Sequence, residues 1–142
     1  MRSRNFILLT LALSASLSPF ILAQAGQTPQ TAGQQAAEPW LALIDAGKYP
    51  ESWEATAQLF KSKVSKEQWT SAIQSLRKPL GQFASRKIKS ATYTTSLPDA
   101  PEGEYVLLEY DSSFESKKSV LEAVTLILEK DGKWRAVGYF IQ

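Results

Sequence analysis

The spacing of apolar residues changes period near Gln82, and this change constrains the fold more than any other feature of the chain. Before it, large apolar side chains recur every three or four positions: Trp40, Leu43 and Ile44, then Trp53, Ala57, Phe60 and Val64, then Trp69, Ala72, Ile73 and Leu76. That spacing gathers each set onto one stripe of a helix. After it, Thr, Tyr, Val and Phe are enriched in short runs separated by turn residues, the composition of a half-buried pleated surface. Helices followed by strands predict an α+β domain, with three N-terminal helices packed on one face of a curved four-stranded antiparallel meander.

Local signals punctuate these elements. Glu38-Pro39 opens the first helix, since proline fits a first turn, and Gly47 closes it. The second helix starts at about Pro50. The pair is similar to one tetratricopeptide unit, but such units need about three copies to bury a core, so it reads as an ordinary helical hairpin. Ser65-Lys66-Glu67-Gln68 is a capping box that starts the third helix, and Pro79 and Gly81 stop it. Strands are expected near Phe83–Thr95, Glu104–Ser112, Val120–Lys130 and Lys133–Ile141. Asp131-Gly132 signals a two-residue hairpin that sets Lys130 opposite Lys133, Leu128 opposite Arg135, Leu126 opposite Val137, Val124 opposite Tyr139 and Glu122 opposite Ile141. On that register Val120, Val124, Leu126, Leu128, Val137 and Ile141 face the helices. Leu121, Ala123, Thr125, Ile127, Trp134, Ala136, Gly138 and Phe140 form the second face.

The N-terminus carries an address. Arg2 and Arg4 precede an apolar run from Phe6 to Leu22 that ends at Ala23-Gln24-Ala25, the layout of a secretory signal peptide cleaved after Ala25. A membrane-spanning helix needs about 20 strongly apolar residues, and Ser14, Ser16, Ser18 and Pro19 dilute this run. Residues 26–37 have neither charge nor a large apolar side chain and read as a flexible leader, leaving 38–142 as a single domain. Periplasmic or secreted localisation follows, with no stable membrane anchor after cleavage. The 16 Lys and Arg against 14 Asp and Glu owe their excess to Arg2 and Arg4, so the processed chain is near neutral, unlike a nucleic-acid binder.

The chain has no His and no Cys. Zinc, haem and iron–sulfur sites and His-assisted triads lean on those residues, so no catalytic residue, metal site or cofactor is assigned. Asp99 and Glu102, in a Pro-rich loop, point only weakly to calcium. The clearest anomaly is Glu122, a carboxylate in line with the core-facing valines. It must be paired, exposed at the sheet end, or shifted toward its neutral form, with Arg77, Arg86 and Arg135 as available partners. Arg77, Lys78, Arg86, Lys87 and Lys89 form a basic set that reads as a solvated rim or, more sharply, as an anion site at Arg77 and Arg86. A pocket, if present, is expected where helices meet sheet, bordered by Trp53, Arg77, Arg86, Tyr93, Glu122 and Tyr139.

Two classes of function follow. One is a non-catalytic binding or interaction module for an unknown small ligand or envelope protein. The other is a small enzyme with Glu122 as general acid or base, which needs Glu122 in a cavity close to Arg86 or Tyr139; a subunit of an envelope assembly is a further alternative. The trough of small residues on the second sheet face suggests a weak homodimer through Ala123, Ala136, Gly138 and Phe140.

Several strings occur in order along the chain: Pro50-Glu-Ser-Trp53, Arg77-x-Pro-Leu-Gly81, Ser85-Arg86, Tyr93-Thr-Thr-Ser-Leu-Pro98, Gly103-Glu-Tyr-Val106, Phe114, Asp131-Gly-Lys-Trp-Arg135 and Gly138-Tyr-Phe-Ile141. Together they resemble the bacterial family of domain of unknown function 4019, from about Trp40 to the C-terminus. The resemblance implies a secreted or periplasmic α+β domain and carries no catalytic residue. The expected element order is also similar to the nuclear-transport-factor-two-like fold and, more loosely, the cystatin fold, which host both enzymes and binding modules.

Overall fold

The computed structural model describes residues 26–142, so the signal peptide expected over residues 1–25 lies outside the described residues. Four α-helices precede the sheet: α1 (Pro29–Asp45), α2 (Tyr49–Glu54), α3 (Gln58–Lys63) and α4 (Lys66–Arg77), with a 3-10 turn over Lys78–Leu80. Strands β1 (Phe83–Thr94), β2 (Tyr105–Phe114), β3 (Val120–Leu128) and β4 (Trp134–Ile141) form one antiparallel sheet in the order β1-β2-β3-β4. The α+β class and the meander agree with the sequence reading; the helix count is four rather than three.

Two corrections apply to the helices. The expected leader is helical from Pro29 onward, so α1 begins ten residues before the Pro39 that was expected to open it. Thr28 is its N-cap, accepting a hydrogen bond from the Thr31 N–H at 3.2 Å, and Pro29 occupies the first helical position. The small residues that suggested a leader are what lets α1 approach the sheet. A Cβ on Gly33 would lie 2.8 Å from Val106 Cγ1, and Ala37 is fully buried. The expected second helix is broken in two at Ala55–Ala57. There the backbone extends, and the Ala57 N–H leaves the helix to bond the Ala136 carbonyl on β4 at 2.9 Å.

The third correction concerns the β3–β4 register. Glu129 and Lys133 pair instead of Lys130 and Lys133, since the Glu129 N–H bonds the Lys133 carbonyl at 2.9 Å and Gly132 adopts φ +81°. The turn is thus a three-residue loop with glycine in the left-handed region. The extra residue shifts the first pairs, placing Leu128 opposite Trp134 and Leu126 opposite Ala136. A bulge then restores the expected pairing of Val124 with Tyr139 and Glu122 with Ile141. Between the turn and the bulge the faces of β4 are exchanged. Trp134 and Ala136 join the core, while Val137 turns to the outer face. Ala136, only 2% exposed, therefore cannot contribute to the proposed dimer trough, which reduces to Ala123, Thr125 and Gly138 beside the half-exposed Phe140.

The helices and sheet meet over an aromatic core. Trp40 stacks on Trp69 at 6.0 Å between ring centroids, and both meet Tyr139 edge-on. Ser52, fully buried on α2, satisfies both indoles: its carbonyl accepts from Trp40 Nε1 at 2.8 Å and its hydroxyl from Trp69 Nε1 at 2.9 Å.

Candidate functional site

Beneath this aromatic layer, at the end of the helical layer where α1 and α4 finish, lies a buried charge cluster. Asp45 is the last residue of α1, a position where the helix dipole disfavours an acid. It is compensated by two guanidinium groups. Asp45 Oδ1 accepts from Arg77 Nη2 at 2.8 Å and from Arg86 Nη2 at 3.0 Å, and Oδ2 accepts from Arg86 Nη1 at 2.9 Å. Arg86 thus grips Asp45 with the two-pronged geometry that makes such pairs strong. Its remaining Nε donates to Glu122 Oε1 at 2.5 Å, so one guanidinium joins two carboxylates.

Glu122 is 0% exposed. Oε1 also accepts from Ser112 Oγ at 2.9 Å, and Oε2 accepts from the Tyr139 hydroxyl at 2.5 Å with Arg77 Nη1 at 3.9 Å. Two acids and two arginines make the cluster neutral, which is the condition for keeping four ionic groups out of water. Aromatic rings wall it in: the Arg77 guanidinium lies 4.6 Å from the Phe114 ring centre and that of Arg86 4.3 Å from Phe83. Burial works against the Arg86 charge, but the hydrogen bonds it donates to Asp45 and Glu122 outweigh it and hold its pKa above the ordinary value. Burial, reinforced by the Glu122 charge and hydrogen bond, pushes the Tyr139 phenol well above its usual range. The neighbouring Tyr110 phenol, buried with no hydrogen-bond partner, is pushed up to about 12, chiefly by burial.

Of the six residues expected to border a pocket, Arg77, Arg86, Glu122 and Tyr139 converge here, and two do not. Trp53 donates from Nε1 to the Val64 carbonyl at 2.8 Å and carries Lys61 and Lys66 near its ring. Tyr93 donates its hydroxyl to Glu104 at 2.9 Å, near the β1–β2 loop. Arg135, the third candidate partner of Glu122, is bound at the far end of β4 to Glu129 at 2.7 Å and to Asp131. The basic rim shrinks accordingly, because Arg77 is 5% exposed and Arg86 points inward to its two acids. Asp45 and Ser112 were missed from the sequence. The signal for Asp45 was an acid at a helix C-terminus just before Gly47; that for Ser112 was its place in the core-facing alternation of β2 with Leu108 and Tyr110.

The cluster touches the surface only at its edges. A recess of about 270 Å³ between α1 and β1 reaches Asp45, Arg86 and Tyr110, and one of about 390 Å³ between α1 and α4 reaches Asp45 and Arg77. Glu122 lines neither. Among the described residues no three Asp, Glu, His or Cys side chains gather into a metal site, Asp99 and Glu102 included. No helix among them is long and apolar enough to cross a membrane.

A different kind of recess opens on the outer sheet face. Leu59 and Phe60 of α3, with Val64 just past its end, form one wall, and Leu97 and Pro98 of the β1–β2 loop form the other. Thr125, Gly138 and the outward-turned Val137 make the floor of this groove of about 320 Å³. Its walls are tethered: the Ala57 N–H holds the start of α3 to β4, and the Tyr105 hydroxyl donates to the Pro101 carbonyl at 2.6 Å.

No curated protein matches the chain. The model of a family of proteins of unknown function matches residues 36–139, from the middle of α1 to the Tyr139 that closes the charge cluster. The chain therefore belongs to the DUF4019 family.

Proposed function

We propose that this protein is a non-catalytic binding or interaction module that acts in the periplasm or outside the cell. The observation that carries the first half of this reading is the state of Glu122. A general acid or base must present a carboxyl oxygen to a reacting group. Both Glu122 oxygens are instead taken by Arg86, Ser112 and Tyr139, and the side chain is fully buried. The ionisable residues thus support a role in holding α1, α4 and the sheet together. The outer groove, mostly apolar with a few polar groups, has the composition of a small-molecule site. The location rests on the basic start, apolar run and Ala23-Gln24-Ala25 of the N-terminus.

A thermal-shift screen against periplasmic small molecules and cell-wall fragments tests the reading, because a ligand that binds only the folded chain raises its melting temperature. A class that stabilises the wild type and loses its effect in Gly138→Leu supports it. If no class moves the transition, and pull-down with the tagged protein retains no stoichiometric partner, the reading fails.

A further inference from the structure

The bulge at Val137 makes the outer groove as well as restoring a register. It turns Val137 onto the same face as Thr125 and Gly138, at the place where α3 leans over the β4 edge. The result is an apolar slot with one charged side chain on its lining, Lys63. Lys63 ends α3, is exposed, and makes no ion pair among the described residues. No acid lines the slot. We propose that this groove binds the apolar chain of a small anionic amphiphile whose head group pairs with Lys63, a proposal that rests on the reading of the protein as a binding module.

Three features support that occupant. The volume, about 320 Å³, lies at the lower end of the range of about 300–1,000 Å³ typical of small-molecule sites, which suits a single medium-length chain. The walls are pinned by hydrogen bonds of 2.9 Å from Ala57 to Ala136, 3.0 Å from the Gln58 N–H to Glu129, and 2.6 Å from Tyr105 to Pro101. A pinned groove loses little freedom when it is filled. The floor has space as well, since a Cβ added at Gly138 would meet only Thr125, at an ordinary 3.5 Å. A polar ligand would gain little from Leu59, Phe60, Val64 and Val137, and a cationic one would meet Lys63.

The test is an NMR titration of protein recovered from cells expressing the full chain. The probes are sodium octanoate, sodium decanoate and decyltrimethylammonium, each below its micelle-forming concentration. Saturable shifts are expected at Thr125, Val137 and Gly138. Affinity should rise about fourfold for each added methylene and be about fivefold weaker for the cationic head, the scale of one exposed ion pair. Lys63→Glu, an exposed change that leaves the fold intact, should reverse the head-group preference. Gly138→Leu should abolish binding; if it does not fold, Leu59→Glu on the α3 wall answers the same question. Equal affinity for both head groups, no dependence on chain length, or shifts lying elsewhere would overturn the proposal. If the amphiphiles leave the groove unmoved while another ligand class raises the melting temperature, this proposal fails and the binding-module reading stands. If nothing binds anywhere, both fail.

Discussion

Glu122→Gln is the most informative single change, because it alters one charge and almost no shape. In the wild type Oε1 receives Arg86 Nε–H and the Ser112 hydroxyl, and Oε2 receives the Tyr139 hydroxyl. A glutamine oxygen can keep the Arg86 side, but its NH₂ then faces Tyr139 and Arg77 Nη1, which stood 3.9 Å from the carboxylate. Two charge-assisted bonds become ordinary ones, a loss of about 1 kcal/mol each. The cluster is also left with two arginines against Asp45 alone, and breaking a buried pair costs about 3–5 kcal/mol. Since the glutamine oxygen can still accept from both Arg86 and Ser112, and Asp45 still pairs with both arginines, the expected loss lies at the low end, about 3 kcal/mol, or a drop of roughly 12 °C in melting temperature for a domain of this size. Urea unfolding with an unchanged slope is the assay. Replacing both partners, Glu122→Leu with Arg86→Met, should cost clearly less than the two single changes added together, since it leaves the Asp45–Arg77 pair intact at 2.8 Å. If Glu122→Gln falls within 1 kcal/mol of wild type, or the paired substitutions are additive, the cluster does not act as a unit and the reasoning is wrong.

Other predictions address separate parts of the chain. Gly33→Val should lose about 2–3 kcal/mol in urea unfolding by forcing α1 off Val106 Cγ1, only 2.8 Å from the new Cβ; unchanged stability would show that α1 can slide. Ser52→Ala should cost about 1–3 kcal/mol by stranding the buried Trp69 indole N–H, with a matching change in the near-ultraviolet circular dichroism of the tryptophans. The Tyr110 and Tyr139 phenols are raised in the folded chain, so the unfolded chain releases these protons first. Their stabilisation is complete below the unfolded value near pH 10 and is lost as pH climbs from there toward the folded values. Unfolding free energies from urea titrations between pH 9 and 11.5 should fall with a slope approaching about 1.4 kcal/mol per pH unit for each tyrosine, and Tyr139→Phe should make the decline shallower. When the full chain is expressed in a bacterial host, N-terminal sequencing of the exported protein should begin at Gly26; recovery with Met1 intact would contradict the signal-peptide reading.

The change of period at Gln82 was enough to read the class and order of elements, because burial on one face leaves a strong imprint on residue spacing. Three things were illegible, each for a tertiary reason. Residues 29–37 looked too small to pack, yet Gly33 and Ala37 are small because α1 comes closest to the sheet there. The break at Ala57 has no local breaker, since its cause is the carbonyl of Ala136, far along the chain. Asp131-Gly132 announced a turn but not its length, and one residue was enough to exchange the faces of Trp134, Ala136 and Val137. The charge cluster was half visible. A carboxylate among valines flags itself, and Arg77 and Arg86 were within a short list of partners. Asp45 lies in a helix whose other residues gave no reason to look to it. Trp53 and Tyr93 were expected at the border of a pocket where helices meet sheet, but their side chains bond Val64 and Glu104 instead.

The charge cluster also has a temporal side. Its hydrogen bonds join residues 41 positions apart between Asp45 and Arg86 and 36 apart between Arg86 and Glu122. Docking only α1, or only the β2–β3 hairpin, leaves an arginine or an acid without its counterpart, so the network closes when α1, α4, β1 and β3 are all in place. Contacts that form after the folding barrier has been crossed scarcely affect how fast a chain folds; they govern how slowly it comes apart. Variants of Arg86 or Glu122 should therefore fold at near-normal rates and unfold faster. On that expectation the four charges would act as a latch that lengthens the lifetime of the native state, and stopped-flow unfolding of Arg86 and Glu122 variants checks it.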